Sequence, residues 1–438
     1  MLSAFARAFR TPDLRKKLLF TLFVIGIFRL GTAVPTPGVS YTKVQQCLST
    51  ANPQQGFIGL ANLFSGGALL QLSVFALGIM PYITASIIVQ LLTVVIPRFE
   101  VLKKEGQAGT TKLTQYTRYL SIGLAILQSS TLITFARNPS QIFGPQCTEI
   151  MTDQHLATIA IMVLTMTAGT GLIMWLGELV TDRGIGNGMS LLIFTSIASG
   201  FPGSLWAIQQ KEGRWDIFGG IILLGFLVMA LVIFVEQSQR RVPVQYAKRQ
   251  IGRRMYGGTS TYIPLKVNMA GVIPVIFASS MLSLPALVAQ FNTPRDGSAP
   301  APWAQWVQNN LVRGDHPLYM LMYVGLILFF TFFYVSITFN PVEVADNMKR
   351  YGGFIPGIRA GRPTAEYLDY VLTRITVPGA IYLGLISLIP LIALVLVGAN
   401  QNFPFGGTSI LIIVGVGLET VKQIQAQLQQ RNYEGFLR

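Results

Sequence analysis

Charge is scarce in this chain. Of its 438 residues, 12% are Asp, Glu, Lys or Arg and 51% are hydrophobic, whereas an average soluble protein is about 25% charged. That excludes an ordinary soluble domain and predicts a polytopic membrane protein. Histidine is nearly absent. His155 and His316 are the only two, both fall in loops between spans, and no metal-ligand cluster is readable. No G-x-x-x-x-G-K-[ST] run occurs, so nucleotide hydrolysis by a P-loop is excluded. Most spans lack a central carboxylate, which an ion-coupled carrier usually keeps. Glu178, Glu236 and Glu419 fall at span ends and read as interfacial. Nothing here predicts an enzyme or a resident cofactor. Cys47 and Cys147 are the only cysteines. The span pattern puts both in outer loops, where an oxidising exterior permits a disulfide, but sequence gives no connectivity. A bond and two free thiols both stay open.

What is present is apolar length. The stretch Gly59–Ile96 carries no charge and is interrupted by Gly66-Gly67. Its first part, Gly59–Leu70, is roughly 18 Å long as helix and cannot cross a hydrocarbon core of about 30 Å. Its second part, Ser73–Ile96, can. A non-spanning apolar piece either lies on the surface as an interfacial helix or folds back among shielding helices.

Ten spans are predicted. They are Leu18–Val34, Ser73–Ile96, Tyr119–Ala136, Leu156–Leu176, Met189–Phe201, Ile217–Val235, Met269–Gln290, Leu318–Phe339, Thr376–Val397 and Ser409–Ile424. The first follows Arg15-Lys16-Lys17 without a small-residue cleavage site, so it reads as an uncleaved span. Of 33 Lys and Arg, 26 fall in alternate loops and the two ends, with Lys422 at the end of the tenth span counted in the tail, and six in the opposite loops. This asymmetry predicts both termini in the cytoplasm. The remaining one, Arg29, lies inside the first span; snorkelling to the headgroups and pairing within the bundle both fit.

The expected fold is therefore all-α, ten transmembrane helices in two halves, 1–203 and 204–438. Five spans per half gives the halves opposite topology, and inverted repeats place a functional site near the midplane between them. The run RGIGNG at 183–188 joins two spans and reads as a tight turn, since no strand precedes it. Two basic loops, about 237–267 and 341–374, exceed ordinary connections. They interleave Lys and Arg with Gly, Pro and Tyr. Binding to anionic lipid explains their charge alone; their length and aromatics favour docking of something acidic, RNA or protein.

Several long motifs resemble the SecY family, the channel subunit of the bacterial protein translocase, related to the eukaryotic translocon. They are FSGGALLQLSVFALGIMPYITASIIVQLL, KKEGQAGTTKLTQYTRY, GELVTDRGIGNGMSLLIF, QRRVPVQYAKRQIGRRMYGGTSTYIPLKVNMAGVIPVIFASS, FNPVEVADNMKRYGGFIPGIRAG and FGGTSILIIVG. They cover nearly the whole chain in order.

The resemblance implies a protein-conducting channel in the bacterial plasma membrane. Unfolded secretory chains would cross its centre, and apolar segments would leave sideways into lipid. It implies a pore ring at Ile79, Ile83, Met189, Ile193, Ile276 and Ile412, with Met189 where isoleucine is more usual. The spacing of Ile79 with Ile83, and of Met189 with Ile193, is i, i+4 on one helix face. The resemblance makes about 60–70 a plug, with Leu60, Asn62, Phe64, Ser65, Gly66 and Gly67. It places a lateral gate between the second-third and seventh-eighth spans, with Thr84, Gln128 and Asn268. It implies SecE, SecG, the ATPase SecA, the ribosome, signal sequences and anionic lipids as partners. SecA and the ribosome would dock on Arg240, Arg241, Lys248, Arg249, Arg253, Arg254 and Arg359. A secondary transporter with inverted repeats, and a membrane scaffold for ribosomes, are the competing readings.

Overall fold

A computed structural model describes residues 9–50, 65–137, 139, 147, 150–153, 155–212, 215–246, 249–251, 254–256, 260–291, 301–312, 316–397 and 407–434. Among the described residues, ten long helices follow in the expected order. They are α1 (Pro12–Ala33), α3 (Met80–Val95), α5 (Gln107–Arg137), α6 (Leu156–Arg183), α7 (Gly188–Glu212), α8 (Trp215–Gln237), α9 (Ile273–Phe291), α11 (Pro317–Thr338), α13 (Arg362–Val397) and α14 (Gly407–Glu434). Shorter helices lie between them: α2 (Tyr41–Thr50), α4 (Pro97–Lys104), α10 (Pro302–Val307) and α12 (Pro341–Arg350). Leu156–Arg183, Pro317–Arg350, Arg362–Ile389 and Ser409–Gln429 are long and apolar enough to cross a membrane by length and composition alone. Leu164, Phe226, Leu321 and Phe329 point outward and are exposed, the pattern of a lipid-facing surface.

Prolines set several starts. Pro12, Pro81, Pro97, Pro317 and Pro341 each stand in the first turn of a helix, where the missing N–H costs nothing and φ is preset. His316 caps α11 by accepting from the Leu318 N–H, and Asn340 caps α12 by accepting from Val342 and Glu343. The turn at 184–187 joins α6 to α7 as expected. Its Asn187 Oδ1 accepts from Met189 N and Ser190 N, starting α7.

The second span departs from the prediction. Ser73–Ile96 is not one helix: residues 65–79 run as turns, and helix begins only at Met80. Residues 59–64 of the short segment lie outside the described residues. Its described part, 65–70, is turn rather than helix. Gly66 and Gly67 sit at φ +68° and +90°, and even Leu72 stands at +48°, values that cannot continue a right-handed helix. Irregular backbone at this depth needs partners. It finds them in the chain after α1: Thr36 N donates to Leu72 O, and Val74 N donates to Val34 O. α6 passes close beside it because position 169 is glycine; a Cβ there would lie 2.2 Å from the Val74 carbonyl oxygen.

The two long basic loops also depart from an all-helical plan. β1 (Gln239–Tyr246) pairs antiparallel with β4 (Ser260–Lys266), and β1 pairs with β5 (Gly353–Phe354) on its other edge. A short hairpin, β2 (Arg249–Ile251) with β3 (Arg254–Tyr256), extends the first loop. Alternation along β1 buries Val242 and Val244 while Arg241 and Pro243 stay outside. Those valines pack with Leu265, Met348, Ile355, Leu368 and Val371. Each buried side chain is worth roughly 1.5–3 kcal/mol of transfer free energy. The basic loops are thus one folded unit rather than two independent tethers, and its side of the bundle is called the basic face below.

Candidate functional site

One apolar cluster gathers helices from along the whole chain. It contains Phe28 of α1, Phe75, Ile79, Ile173 of α6, Leu192, Ile193 and Ile197 of α7, Ile276 of α9 and Ile412 of α14; Ile83 and Met189 pack against it. All six residues of the expected ring meet here. Met189, Ile193 and Ile197 recur every four residues on one face of α7.

The cluster separates two different environments. Toward the basic face lies a cavity of about 490 Å³, lined among others by Ile83, Met189, Ile193 and Ile276, and by the polar Gln90, Arg118, Glu178 and Asp182. Arg118 of α5 donates to both carboxylate oxygens of Glu178 on α6, from Nε at 2.9 Å and from Nη2 at 2.7 Å. This bidentate pair fixes the cavity wall. Glu178 was expected at the interface; its pairing with Arg118, sixty residues away, leaves no trace in sequence spacing.

On the other side lies the first part of the turn segment, residues 65–72; its continuation, with Phe75 and Ile79, enters the cluster itself. Ser65 is buried, and its Oγ accepts from Leu69 N at 3.0 Å. Leu70 and Leu72 are buried in a second cluster with Val44, Cys47, Cys147, Ile150, Met162 and Met166. Cys47 and Cys147 form a disulfide with a Cα–Cα separation of 5.7 Å, which settles the choice that sequence left open. Arg29 does not snorkel: its Nη1 donates to Gly66 O at 3.3 Å and to Ser199 Oγ at 2.8 Å. Of the other plug candidates, Gly67 is at the turn described above, and Leu60, Asn62 and Phe64 lie outside the described residues.

The three polar gate candidates do not meet. Thr84 donates to Met80 O of its own helix, and Gln128 is half-buried on α5. Asn268 is buried before the start of α9, where its amide donates to Glu236 Oε1 at 2.5 Å and to Gly271 O at 3.1 Å. Among the described residues no hydrogen bond joins the three. The seam between α3 and α9 is apolar instead: Ile83, Ile87 and Leu91 of α3 pack with Val275 and Phe277 of α9 in one cluster. Because Asn268 satisfies a half-buried carboxylate, Asn268→Leu is expected to cost about 1.5–3 kcal/mol, read as a lower thermal midpoint in detergent. A variant that melts with the parent would show that this bond carries no stability.

The docking candidates are spread over the folded unit of the basic face. Arg240 and Arg241 are exposed on β1, and the Arg241 guanidinium lies 4.8 Å from the Tyr262 ring centre. Arg249 and Arg254 belong to β2 and β3, paired so that Arg254 faces Ile251. Lys248 and Arg253 lie outside the described residues. Arg359 stands in the turn before α13, where its carbonyl accepts from Thr364 Oγ1. Pairing of β1 with both β4 and β5 brings the two loops together, a long-range contact that no local pattern shows.

A ten-helix membrane bundle with an apolar cluster between a polar-walled cavity and a stretch of irregular backbone belongs to the class of polytopic membrane channels. Comparison with known proteins names the family. The SecY family model matches residues 73–421. The "Protein translocase subunit SecY" of Streptomyces galbus is 68% identical, with both chains covered in full. The chain belongs to the SecY family. Two solved structures share the fold at lower identity. One, described as a protein conducting channel, has TM-score 0.61 at 18% identity over 94% of this chain and 91% of that one. The other, Sec61 in a canine ribosome-channel complex from the endoplasmic reticulum, has TM-score 0.59 at 17% identity, with the same coverage of each chain.

Proposed function

We propose that this chain is the passive conduit of a plasma-membrane translocase, with both termini and the basic face in the cytoplasm. The observation that carries the reading is the single apolar cluster joining Ile79, Ile83, Met189, Ile193, Ile276 and Ile412, with a polar-walled cavity on one side and the 65–72 segment on the other. The halves 1–203 and 204–438 meet at that cluster. An unfolded chain enters the cavity, passes the ring and displaces the segment. Branched apolar side chains repel water when the ring is empty and shift aside around a passing residue.

Sideways exit uses the seam between α3 and α9. Its contacts are apolar, and in a bilayer lipid tails offer nearly the same contacts. Opening therefore costs little, and a segment that prefers hydrocarbon is kept by the bilayer. SecE and SecG complete the membrane complex; SecA or the ribosome docks on the basic face and supplies the drive. The chain itself performs no chemical step.

Reconstitution with these partners tests the reading. Proteoliposomes should import a secretory preprotein to a protease-protected position. Uptake of small solutes by the chain without partners, and no preprotein import, would support a transporter instead. Ribosome docking without import would leave only a scaffold.

The docking assignment has its own test. Charge reversal of Arg253, Arg254 and Arg359 together should weaken ribosome or SecA binding at least about tenfold while membrane insertion stays intact. Basic contacts to RNA phosphates also weaken as salt rises, so the parent should lose ribosome affinity with salt more steeply than the variant. Unchanged affinity for both partners would remove these residues from the docking surface.

A further inference from the structure

The geometry points to Arg29 as the latch that holds the 65–72 segment in the closed channel, exchanging that segment for the backbone of the passing polypeptide; the inference rests on the channel reading above. A cation inside a span is expensive unless it is paired, and it marks function more often than packing. Arg29 stands four residues before the end of α1. Its Nη1 donates to the carbonyl of Gly66 and to the hydroxyl of Ser199. One group thereby ties together α1, the segment and α7.

The socket around it is built for this contact. Ser199 Oγ donates its own proton to Ser196 O at 2.8 Å, leaving its lone pairs for the guanidinium. Gly66 sits at φ +68°, the left-handed region that only glycine enters freely. A Cβ at that position would lie 3.1 Å from Arg29 Nη1 and 3.2 Å from Ser196 Cα. A glycine at this left-handed position lets the segment approach α7 this closely without strain, and its carbonyl is then presented to Arg29. Ser196 is three residues beyond Ile193, so the latch lies just past the ring.

The acceptors explain why the latch releases. Gly66 O and Ser199 Oγ are both neutral, so leaving Gly66 strands no carboxylate, and the bond is weaker than an ion pair. Once the segment moves, the guanidinium borders the pathway with donors to satisfy. Any peptide carbonyl satisfies them, whatever the sequence passing by. The occupant replaces the lost partner, and opening is cheaper with a chain present than without one. The ligand class is the extended peptide backbone, recognised through its carbonyl oxygens.

The test uses the full complex in planar bilayers and in proteoliposomes. Arg29→Met keeps the length and removes the donors. It should raise idle ion conductance about tenfold or more, the size expected for losing a hydrogen bond to a charged group, and should export a preprotein with a defective signal. Arg29→Lys should fall between parent and Met, and Ser199→Ala should shift the same way by less. With a chain stalled in the channel, conductance should match the parent, because the latch is then already released. An Arg29→Met complex that moves a normal preprotein but keeps parental idle conductance and signal dependence would overturn the latch. If that variant does not assemble, Gly66→Ala and Ser199→Ala retain the cation, and parental tightness in both would overturn it equally. Failure of the channel reading looks different: the parent complex then moves no preprotein at all.

Discussion

Serine in place of Ile83, Ile193 and Ile276 together should make the idle channel leak small ions. These three come from α3, α7 and α9 and line the cavity on the side of the basic face. Ile193 and Ile276 are buried, 7% and 8% exposed. A closed apolar ring excludes ions because a narrow apolar passage does not hold water. Serine removes apolar surface worth roughly 1.5–3 kcal/mol per site and adds a hydroxyl that retains water. At tenfold per 1.4 kcal/mol, idle conductance should rise by at least about one order of magnitude. Leucine or valine at the same sites keeps the ring apolar and should leave transport near normal. The sensitivity is thus to polarity rather than to identity. On the channel reading proposed above, removing residues 60–70 as well should enlarge the serine leak. Single-channel recording without a translocating chain reads all of these variants. A triple-serine variant without that segment that stays as tight as the parent would show that the ring is not the seal.

Loss of the Cys47–Cys147 bond should have the next largest effect. The bond closes a loop with a sequence separation of 100 residues. Chain entropy alone gives about 4–5 kcal/mol for a loop of that length. Helices that persist in the membrane already restrict the unfolded chain, so a loss of about 2–4 kcal/mol is expected for the double serine variant. The effect should reach the channel, because both cysteines share a cluster with Leu70 and Leu72. Loosening that cluster loosens the seat of the segment, so idle opening should increase as well. In native, unreduced protein neither thiol should react with an alkylating reagent. Alkylation of both would contradict the bond and remove this anchor. The bond also requires an oxidising side, which agrees with placing the basic face in the cytoplasm.

The ten helices were legible because each apolar run is long and the alternation of basic loops is strong. Their ends were not. α5 begins at Gln107 and α13 at Arg362, well before the apolar runs at Tyr119 and Thr376. Hydropathy stops at the membrane surface, while backbone hydrogen bonding continues past it. The start of α3 was misplaced for the opposite reason. Ser73–Ile79 is as apolar as the rest of the run, yet the turns on either side of Leu72 and the bridge to residues 34–36 hold it out of helix.

The i, i+4 pairs of the ring could be read as helix faces, but not the meeting of α3, α7, α9 and α14. That meeting came from the family resemblance, and the structure brings the same six residues together. Partners separated by long stretches of chain stayed invisible. Arg29 was conspicuous as a charge within a span, but its acceptor is a backbone carbonyl whose direction depends on the φ of Gly66. Asn268 was placed by resemblance among gate residues, and the structure gives it to Glu236. Val242 and Val244 alternate as a strand does, but residues 237–267 were read only as a long basic loop, and the second partner of β1 lies in the other loop.

The most direct measurement places a photo-cross-linking residue at Ile193 or at Ile276 and stalls a preprotein halfway through the complex. A matching probe at Leu164, which faces outward from α6, serves as the lipid-side control. If the chain is the conduit, both ring probes cross-link to the stalled preprotein and the Leu164 probe does not. Ring probes that reach no preprotein, or that reach it no more often than Leu164 does, would contradict passage through the centre of this bundle.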